Sequence, residues 1–120
     1  MTSTFTASTL TFTAAEAKPL GQPTAEPISG AITTRSRVLQ HDLDGRITTG
    51  TWECEVGRSR WEFTDRGEFI HVLSGRMVCT EDGQEPVELA AGSTAVFPLG
   101  WRGEWDVTQT LRKVFTIYRP

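Results

Sequence analysis

The spacing of glycine and proline in the last third of the chain constrains the fold more than any other sequence feature. The segment from Gly92 to Gly103 reads Gly-Ser-Thr-Ala-Val-Phe-Pro-Leu-Gly-Trp-Arg-Gly. Its centre has the β-branched and aromatic content of a strand, and glycine accommodates positive φ in the tight turns around it. Upstream, Glu68 stands seven residues before Gly75. This spacing indicates short strands joined by tight turns.

The same alternation of apolar runs and turn signals continues from residue 33 to residue 118, as in a β-sandwich or barrel. We predict strands over residues 35–40, 47–56, 58–63, 68–73, 76–81, 87–89, 94–97 and 104–118, with turns at 42–45, 74–75 and 82–83. Residues 12–18 are the one segment with the pattern of a short helix. Closing a sheet into a barrel removes its exposed edges. The sequence therefore predicts an all-β barrel.

The two motifs resemble the paired motifs of the cupin barrels, which implies a jelly-roll fold. In cupins the first motif contains His-x-His, a glutamate and a glycine, and the second ends in a histidine after its proline and glycine. Aligned on Glu68 and Gly75, the first two histidines fall at Glu62 and Thr64, and the last falls at Gly103. Only the glutamate matches a ligand position. Because transition metals rely on imidazole nitrogens, we expect no metal and no other cofactor.

Over residues 35–118 the chain resembles small cupins of the ureidoglycine aminohydrolase type, which are also similar to an ethanolamine-utilisation cupin domain. The segments that carry this likeness are 50–54, 98–105 and 111–114. The ureidoglycine enzyme is a two-domain, manganese-dependent protein, whereas this chain has room for one barrel. Since fold does not determine function, its activity is not carried over. Small cupins commonly dimerise through exchanged or added strands, so the resemblance implies a homodimer.

The length and composition predict one barrel domain with an N-terminal extension. A chain of 120 residues buries enough surface for a single domain. We assign residues 31–120 to the barrel and residues 1–30, rich in Thr, Ser, Ala and Pro, to an extended arm. Residues 4–13 have the content of a strand that could join a sheet edge in its own subunit or in a partner. Disorder of this arm is the alternative.

Charge and hydropathy exclude several classes of protein. The net charge is −3 and the arginines are scattered, which argues against nucleic-acid binding. The sequence has neither the roughly 18 apolar residues of a membrane span nor a secretory signal. We therefore expect a cytoplasmic protein with no nucleic-acid or membrane partner. Cys54 and Cys79 are widely spaced in strand-like runs, so we expect buried free thiols.

Glu68 is the candidate catalytic residue. The alternation of side chains along a strand places it on the opposite face from His71, and the motif alignment points it into the barrel. A carboxylate in an apolar cavity has the surroundings of a functional acid or base. An internal ion pair of Glu68 with Arg60 or Lys113 is the structural alternative.

The motif alignment also points Glu62 and Thr64 inward, on the same strand face as Arg60. Two carboxylates near one cavity could share a proton, hold a hard cation or grip a cationic group. We therefore assign Arg60, Glu62 and Thr64 as ligand-binding residues. The alternative for Glu62 is a solvent position at the strand end.

Trp101, Trp105 and Lys113 complete the predicted ligand site. The two tryptophans bracket Gly103, where the absence of a side chain could open a pocket walled by indole rings. Lys113 alternates with Leu111 and Phe115, so it lies on an apolar face and could reach Glu68 or a bound anion. The alternatives are a structural role for the tryptophans in the core or a dimer interface, and a solvent position for the lysine head.

These residues support three hypotheses. The first is a barrel that binds a small polar molecule without the usual cupin metal. The second is an enzyme of nitrogen metabolism that uses Glu68 as acid or base on a ureido or amine substrate. The third is a structural or partner-binding barrel filled by its own side chains.

Overall fold

The computed structural model describes residues 2, 4–6, 16–21 and 24–120, and within them the chain is entirely strands, turns and loops. The all-β prediction is confirmed. No helix in these residues is long and apolar enough to cross a membrane. In chain order the strands are β1 (Glu16–Pro19), β2 (Ala25–Pro27), β3 (Thr33–Asp42), β4 (Ile47–Cys54), β5 (Gly57–Glu62), β6 (Gly67–Glu81), β7 (Val87–Ala90), β8 (Thr94–Phe97) and β9 (Arg102–Tyr118).

Strand β9 organises the sheet because it is long enough to pair with three others. The second half of β9 pairs with β4 and its first half pairs with β5, whereas its other edge pairs with β6. The main path of the antiparallel sheet runs β1-β3-β4-β9-β5-β2, and β6 also carries β7 and β8. The curled sheet encloses one apolar core cluster.

The predicted tight turn at residues 74–75 was wrong, because strand β6 continues through it. The register against β9 shifts between Val72 and Arg76, which is a bulge in one long strand. Gly75 lies inside this bulge with φ of +87°. A Cβ there would press on the carbonyl oxygen of Thr110. The glycine therefore marks a bulge and a close backbone approach, which produce the same sequence signal as a turn.

The N-terminal segment contributes two short strands to the sheet. Strand β1 pairs with β3 and strand β2 pairs with β5. Residues 12–18 were the one segment with the pattern of a short helix, but Glu16–Lys18 form part of β1, and the other residues of the segment lie outside the described chain. Residues 4–6 of the predicted arm strand are not in a strand, and residues 7–13 are not described. Sheet pairing supplies the hydrogen bonds that a short helix would otherwise provide.

Candidate functional site

A cavity of about 440 Å³ lies inside the curled sheet. One wall comes from β3, β4, β6 and β9, and another comes from the segment that leads from β1 to β2. This volume lies in the range that encloses a small molecule. Its lining residues are Lys18, Pro19, Leu20, Gly21, Thr24, Ala25, Thr34, Ser36, Trp52, Trp61, Arg66, Glu68, Lys113, Phe115 and Ile117.

A buried ion pair lines this cavity. The Nζ of Lys113 donates a hydrogen bond of 2.5 Å to Oε2 of Glu68. Glu68 is 4% exposed and Lys113 is 2% exposed. Strand alternation produces both orientations, because Glu68 shares its face with buried Ile70 and Lys113 shares its face with buried Leu111. The expected inward orientation of both residues is confirmed. The ion pair is the one with Lys113, which the sequence analysis gave as the structural alternative for Glu68.

Two indole rings hold the ammonium group of Lys113. Its Nζ lies 4.4 Å from the ring centroid of Trp52 and 4.6 Å from that of Trp105, both within cation–π distance. Trp52 stands directly opposite Lys113 in the register of β4 and β9. Trp105 stacks on Trp61 with ring centroids 3.8 Å apart. The ammonium group therefore lies between two aromatic rings and the carboxylate of Glu68.

The ion pair keeps hydrogen-bonding capacity for a ligand. Oε1 of Glu68 receives no hydrogen bond from the described residues, and Nζ of Lys113 donates only to Glu68 among them. A carboxylate accepts at both oxygens and an ammonium carries three donors. The pair thus presents an acceptor and a donor side by side at the surface of the cavity.

The sequence pattern of a known family covers most of this architecture. The EutQ-like cupin domain matches residues 41–115, which include both residues of the ion pair and most of the sheet. The chain belongs to this family. The cupin resemblance inferred from the two motifs is therefore confirmed.

Solved structures agree with this cupin fold. The EutQ protein of Clostridium difficile has 19% identity and a TM-score of 0.63, with 73% of this cupin and 69% of that chain covered. The polyketide cyclase RemF of Streptomyces resistomycificus has 24% identity and a TM-score of 0.66, with 92% and 80% covered. Ectoine synthase from P. lautus has 16% identity and a TM-score of 0.65, with 72% and 64% covered.

A comparison with curated proteins gave no match. At these identities the structural likeness extends to the fold alone, and the named relatives differ in what they do. The chemistry of this cupin must therefore be argued from its own side chains.

The metal that many cupins hold does not fit the residues in this barrel. No group of three or more His, Cys, Asp or Glu side chains converges in the described part of the chain. Glu68, which occupies a ligand position of the motif, is bonded to Lys113. His71 lies on the other face of β6, opposite Thr94 of β8. A cationic ammonium next to the carboxylate disfavours a second cation at the same oxygens.

The predicted inward orientation of Arg60, Glu62 and Thr64 was wrong. Arg60 forms a two-pronged ion pair with exposed Asp82, at 2.6 Å for each hydrogen bond. The side chain of Glu62 is 46% exposed, and Thr64 is exposed. The buried residues of this segment are Ser59, Trp61 and Phe63. Apolar packing therefore decides which face of the strand turns inward, and the three predicted binding residues lie outside the cavity.

The predicted pocket at Gly103 was also wrong. A Cβ on Gly103 would collide with the carbonyl oxygen of Thr80 and lie 2.6 Å from the ring of Trp101, so backbone and ring together fill the space of the missing side chain. Trp101 packs edge-on against Phe97 and lines a separate cavity of about 460 Å³. Trp105 is fully buried and contacts the cation of Lys113. Only Trp105 of the two predicted tryptophans therefore lies next to the ion pair.

Sequence reasoning assigned only Glu68 and Lys113 among the residues that line the cavity, and those it missed include Trp52, Trp61, Arg66 and Phe115. For the three aromatic residues, alternation with polar or less buried neighbours predicts burial but not which cavity they face. Arg66 belongs to the loop between β5 and β6, where no periodic pattern exists. Its position depends on how that loop crosses the end of the barrel.

Cys54 and Cys79 are free thiols in the interior, as predicted. Burial raises the pKa of each thiol to about 12, and the nearby charge of Lys113 opposes this shift only in part. A nucleophilic thiolate is therefore disfavoured at neutral pH.

Proposed function

We propose that this cupin domain binds a small polar molecule in the 440 Å³ cavity, at the Glu68–Lys113 pair. The observation that carries the proposal is a buried charged pair with unused hydrogen-bonding capacity at the wall of a partly open cavity. Replacing a buried ion pair by well-packed apolar residues is often neutral or stabilising. Packing alone therefore gives little reason for this pair, whereas a polar ligand gives one.

The cavity also weighs against a barrel that is only structural. Protein interiors pack as densely as organic crystals, with few voids larger than a water molecule. A barrel filled by its own side chains would not leave room beside Trp52 and Trp61. Both rings line the cavity and are supported by other aromatic rings. Trp52 packs edge-on against Trp61, and Trp61 stacks on Phe63 and Trp105. This arrangement is typical of a binding site with a rigid support.

The test is to fill the cavity and measure binding. Ser36 lines the cavity, and Arg37 beside it is exposed on the other face of β3. Saturation-transfer NMR with a set of small polar fragments should show binding that Ser36→Phe abolishes and Arg37→Phe preserves. Native mass spectrometry of protein prepared without chelator would report any molecule that co-purifies. Equal binding by both variants would place the fragments elsewhere and contradict the proposal.

Acid–base catalysis on a ureido or amine substrate is the second candidate function. It is favoured by Glu68, which lines the cavity and whose Oε1 is free of hydrogen bonds from the described residues to accept a proton, while Lys113 balances its charge. Resemblance to the ureidoglycine aminohydrolase type suggests this substrate class and is part of the proposal. Turnover of a candidate substrate should disappear in Glu68→Gln. Unchanged turnover in this variant would remove Glu68 from any mechanism.

Two further expectations from the sequence stay predictions. A homodimer would give twice the mass of the chain in sedimentation equilibrium. A cytoplasmic location would be checked by fractionating cells that produce the protein at its natural level.

A further inference from the structure

We infer that the ligand of this cavity carries one carboxylate on a flat, apolar body. The inference rests on the proposed function and adds the charge and shape of the ligand. Three observations carry it: the balance of charges around the cavity, the unused donors of Arg66, and the aromatic walls.

The charged residues that line the cavity favour a single negative charge. They are Lys18, Arg66 and Lys113 on the positive side and Glu68 on the negative side. Asp65, the partner of Arg66, adds a second negative charge beside the cavity, so one positive charge stays unbalanced. The whole chain carries a net charge of −3, so this excess of cations is opposite in sign to the molecule. Low-dielectric walls strengthen such a local field. A monoanion balances the one unpaired positive charge, whereas a dianion would exceed it.

Arg66 offers the donors that a carboxylate needs. Its Nε donates a 3.1 Å hydrogen bond to Oδ1 of Asp65, and this interaction lowers the pKa of the Asp65 carboxyl group. The Arg66 side chain is 19% exposed, whereas that of Asp65 is 57% exposed. The two terminal nitrogens of Arg66 have no partner among the described residues. A guanidinium group binds carboxylates through such paired donors.

The interior end of the cavity accommodates a second polar group of the ligand without rejecting the anion. Glu68 is bonded to Lys113, so its charge is balanced, and its free Oε1 accepts a hydrogen bond from an O–H or N–H group. The walls of the same cavity include Trp52, Trp61 and Phe115. Rigid aromatic walls favour a flat ligand over a branched one.

The experiment compares four probes that differ in charge. Isothermal titration calorimetry would measure benzoate, benzamide, benzylamine and inorganic phosphate with the whole chain. We expect benzoate to bind at least tenfold more tightly than benzamide, and benzylamine and phosphate to show no binding. In Arg66→Gln the affinity for benzoate should fall at least tenfold, and Arg66→Lys should restore part of it.

The matched control is Arg76→Gln. Arg76 is also an arginine with a carboxylate partner, Glu88, but it is half exposed and does not line the cavity. This variant should bind benzoate as the unchanged protein does. Circular dichroism would show that all variants are folded.

Several results would overturn the inference. If benzamide or benzylamine bound as tightly as benzoate and Ser36→Phe blocked them, the charge assignment would fail while the proposed function would stand. Tighter binding of phosphate, or an unchanged benzoate affinity in Arg66→Gln, would also overturn it. If no probe bound, the inference for flat carboxylates would be rejected, and the fragment experiment above would decide the proposed function separately.

Discussion

The ammonium group of Lys113 lies 2.5 Å from the carboxylate of Glu68 although 45 residues separate them in the sequence. They belong to β9 and β6, the two longest strands, but are not register partners. Lys113 stands opposite Val72, and Glu68 stands opposite Ile117. The long lysine side chain crosses this diagonal inside the barrel. The contact therefore joins β6 to β9 through their side chains at the wall of the cavity.

Breaking this pair from one side should destabilise the protein strongly. Lys113→Met keeps most of the side-chain volume but leaves the carboxylate of Glu68 buried without its partner. Removing one member of a buried ion pair costs about 3–5 kcal/mol. Urea unfolding followed by tryptophan fluorescence should show a loss of this order.

The control for this prediction is the double variant Lys113→Met with Glu68→Gln. It leaves no buried charge, so it should recover most of the lost stability. Equal instability of the single and double variants would mean that the packing of the lysine stem, rather than its charge, is responsible.

Period-two alternation was enough to predict the orientation of Lys113, which lies between buried Leu111 and Phe115 on one strand face. The inward orientation of Glu68 followed from the motif alignment. The alternation rule was also available for Arg60 and Glu62, where Trp61 and Phe63 mark the buried face. The motif alignment gave the opposite orientation because it spans a loop of unknown course. Local packing is the better guide where the two disagree.

Contacts between strands could not be read from the sequence. The position of Trp52 beside Lys113 depends on the register of β4 against β9, which is fixed by turns and by packing on both sides. The lack of space for a side chain at Gly103 likewise depends on the positions of Thr80 and the Trp101 ring. The differences between the predicted site and the observed site therefore come from the pairing register of strands that are distant in sequence.

Gly75→Ala should be more destabilising than Gly83→Ala. Both glycines have positive φ, at +87° and +79°, so both substitutions incur the steric cost of that region, about 1–2 kcal/mol. Only at Gly75 would the new Cβ also collide with backbone, at Thr110, whereas Gly83 has open space. Overpacking adds roughly 1–3 kcal/mol. Equal losses of unfolding free energy in the two variants, measured by urea unfolding, would show that the bulge at Gly75 accommodates a Cβ without an additional energetic cost.

Arg60→Gln should leave binding in the cavity unchanged. Arg60 points out of the barrel and pairs with Asp82, whose carboxyl pKa is lowered mainly by this hydrogen bond. Titration of whichever fragment binds to the unchanged protein should give an affinity within twofold in this variant. A tenfold loss would return Arg60 to the binding site and contradict the outward orientation.

Cys54 and Cys79 should resist alkylation in the folded protein and make its stability sensitive to alkali. At pH 8 iodoacetamide should modify neither thiol within an hour, whereas in guanidinium chloride it should modify both, because burial raises each pKa from 9.0 to about 12. Above pH 9 the unfolded chain loses these protons first, so stability falls as the pH rises from about 9 towards 12.

The slope of this fall should be at most about 1.4 kcal/mol per pH unit for each thiol. Cys54→Ala with Cys79→Ala lowers the stability at pH 8 by leaving small cavities, yet it should flatten the decline between pH 9 and pH 11. Urea unfolding at each pH separates the two effects, because the cavity cost does not depend on pH and the proton linkage does. An equally steep decline in the double variant would assign the alkaline sensitivity to other groups, and rapid alkylation at pH 8 would show that the barrel opens around these thiols.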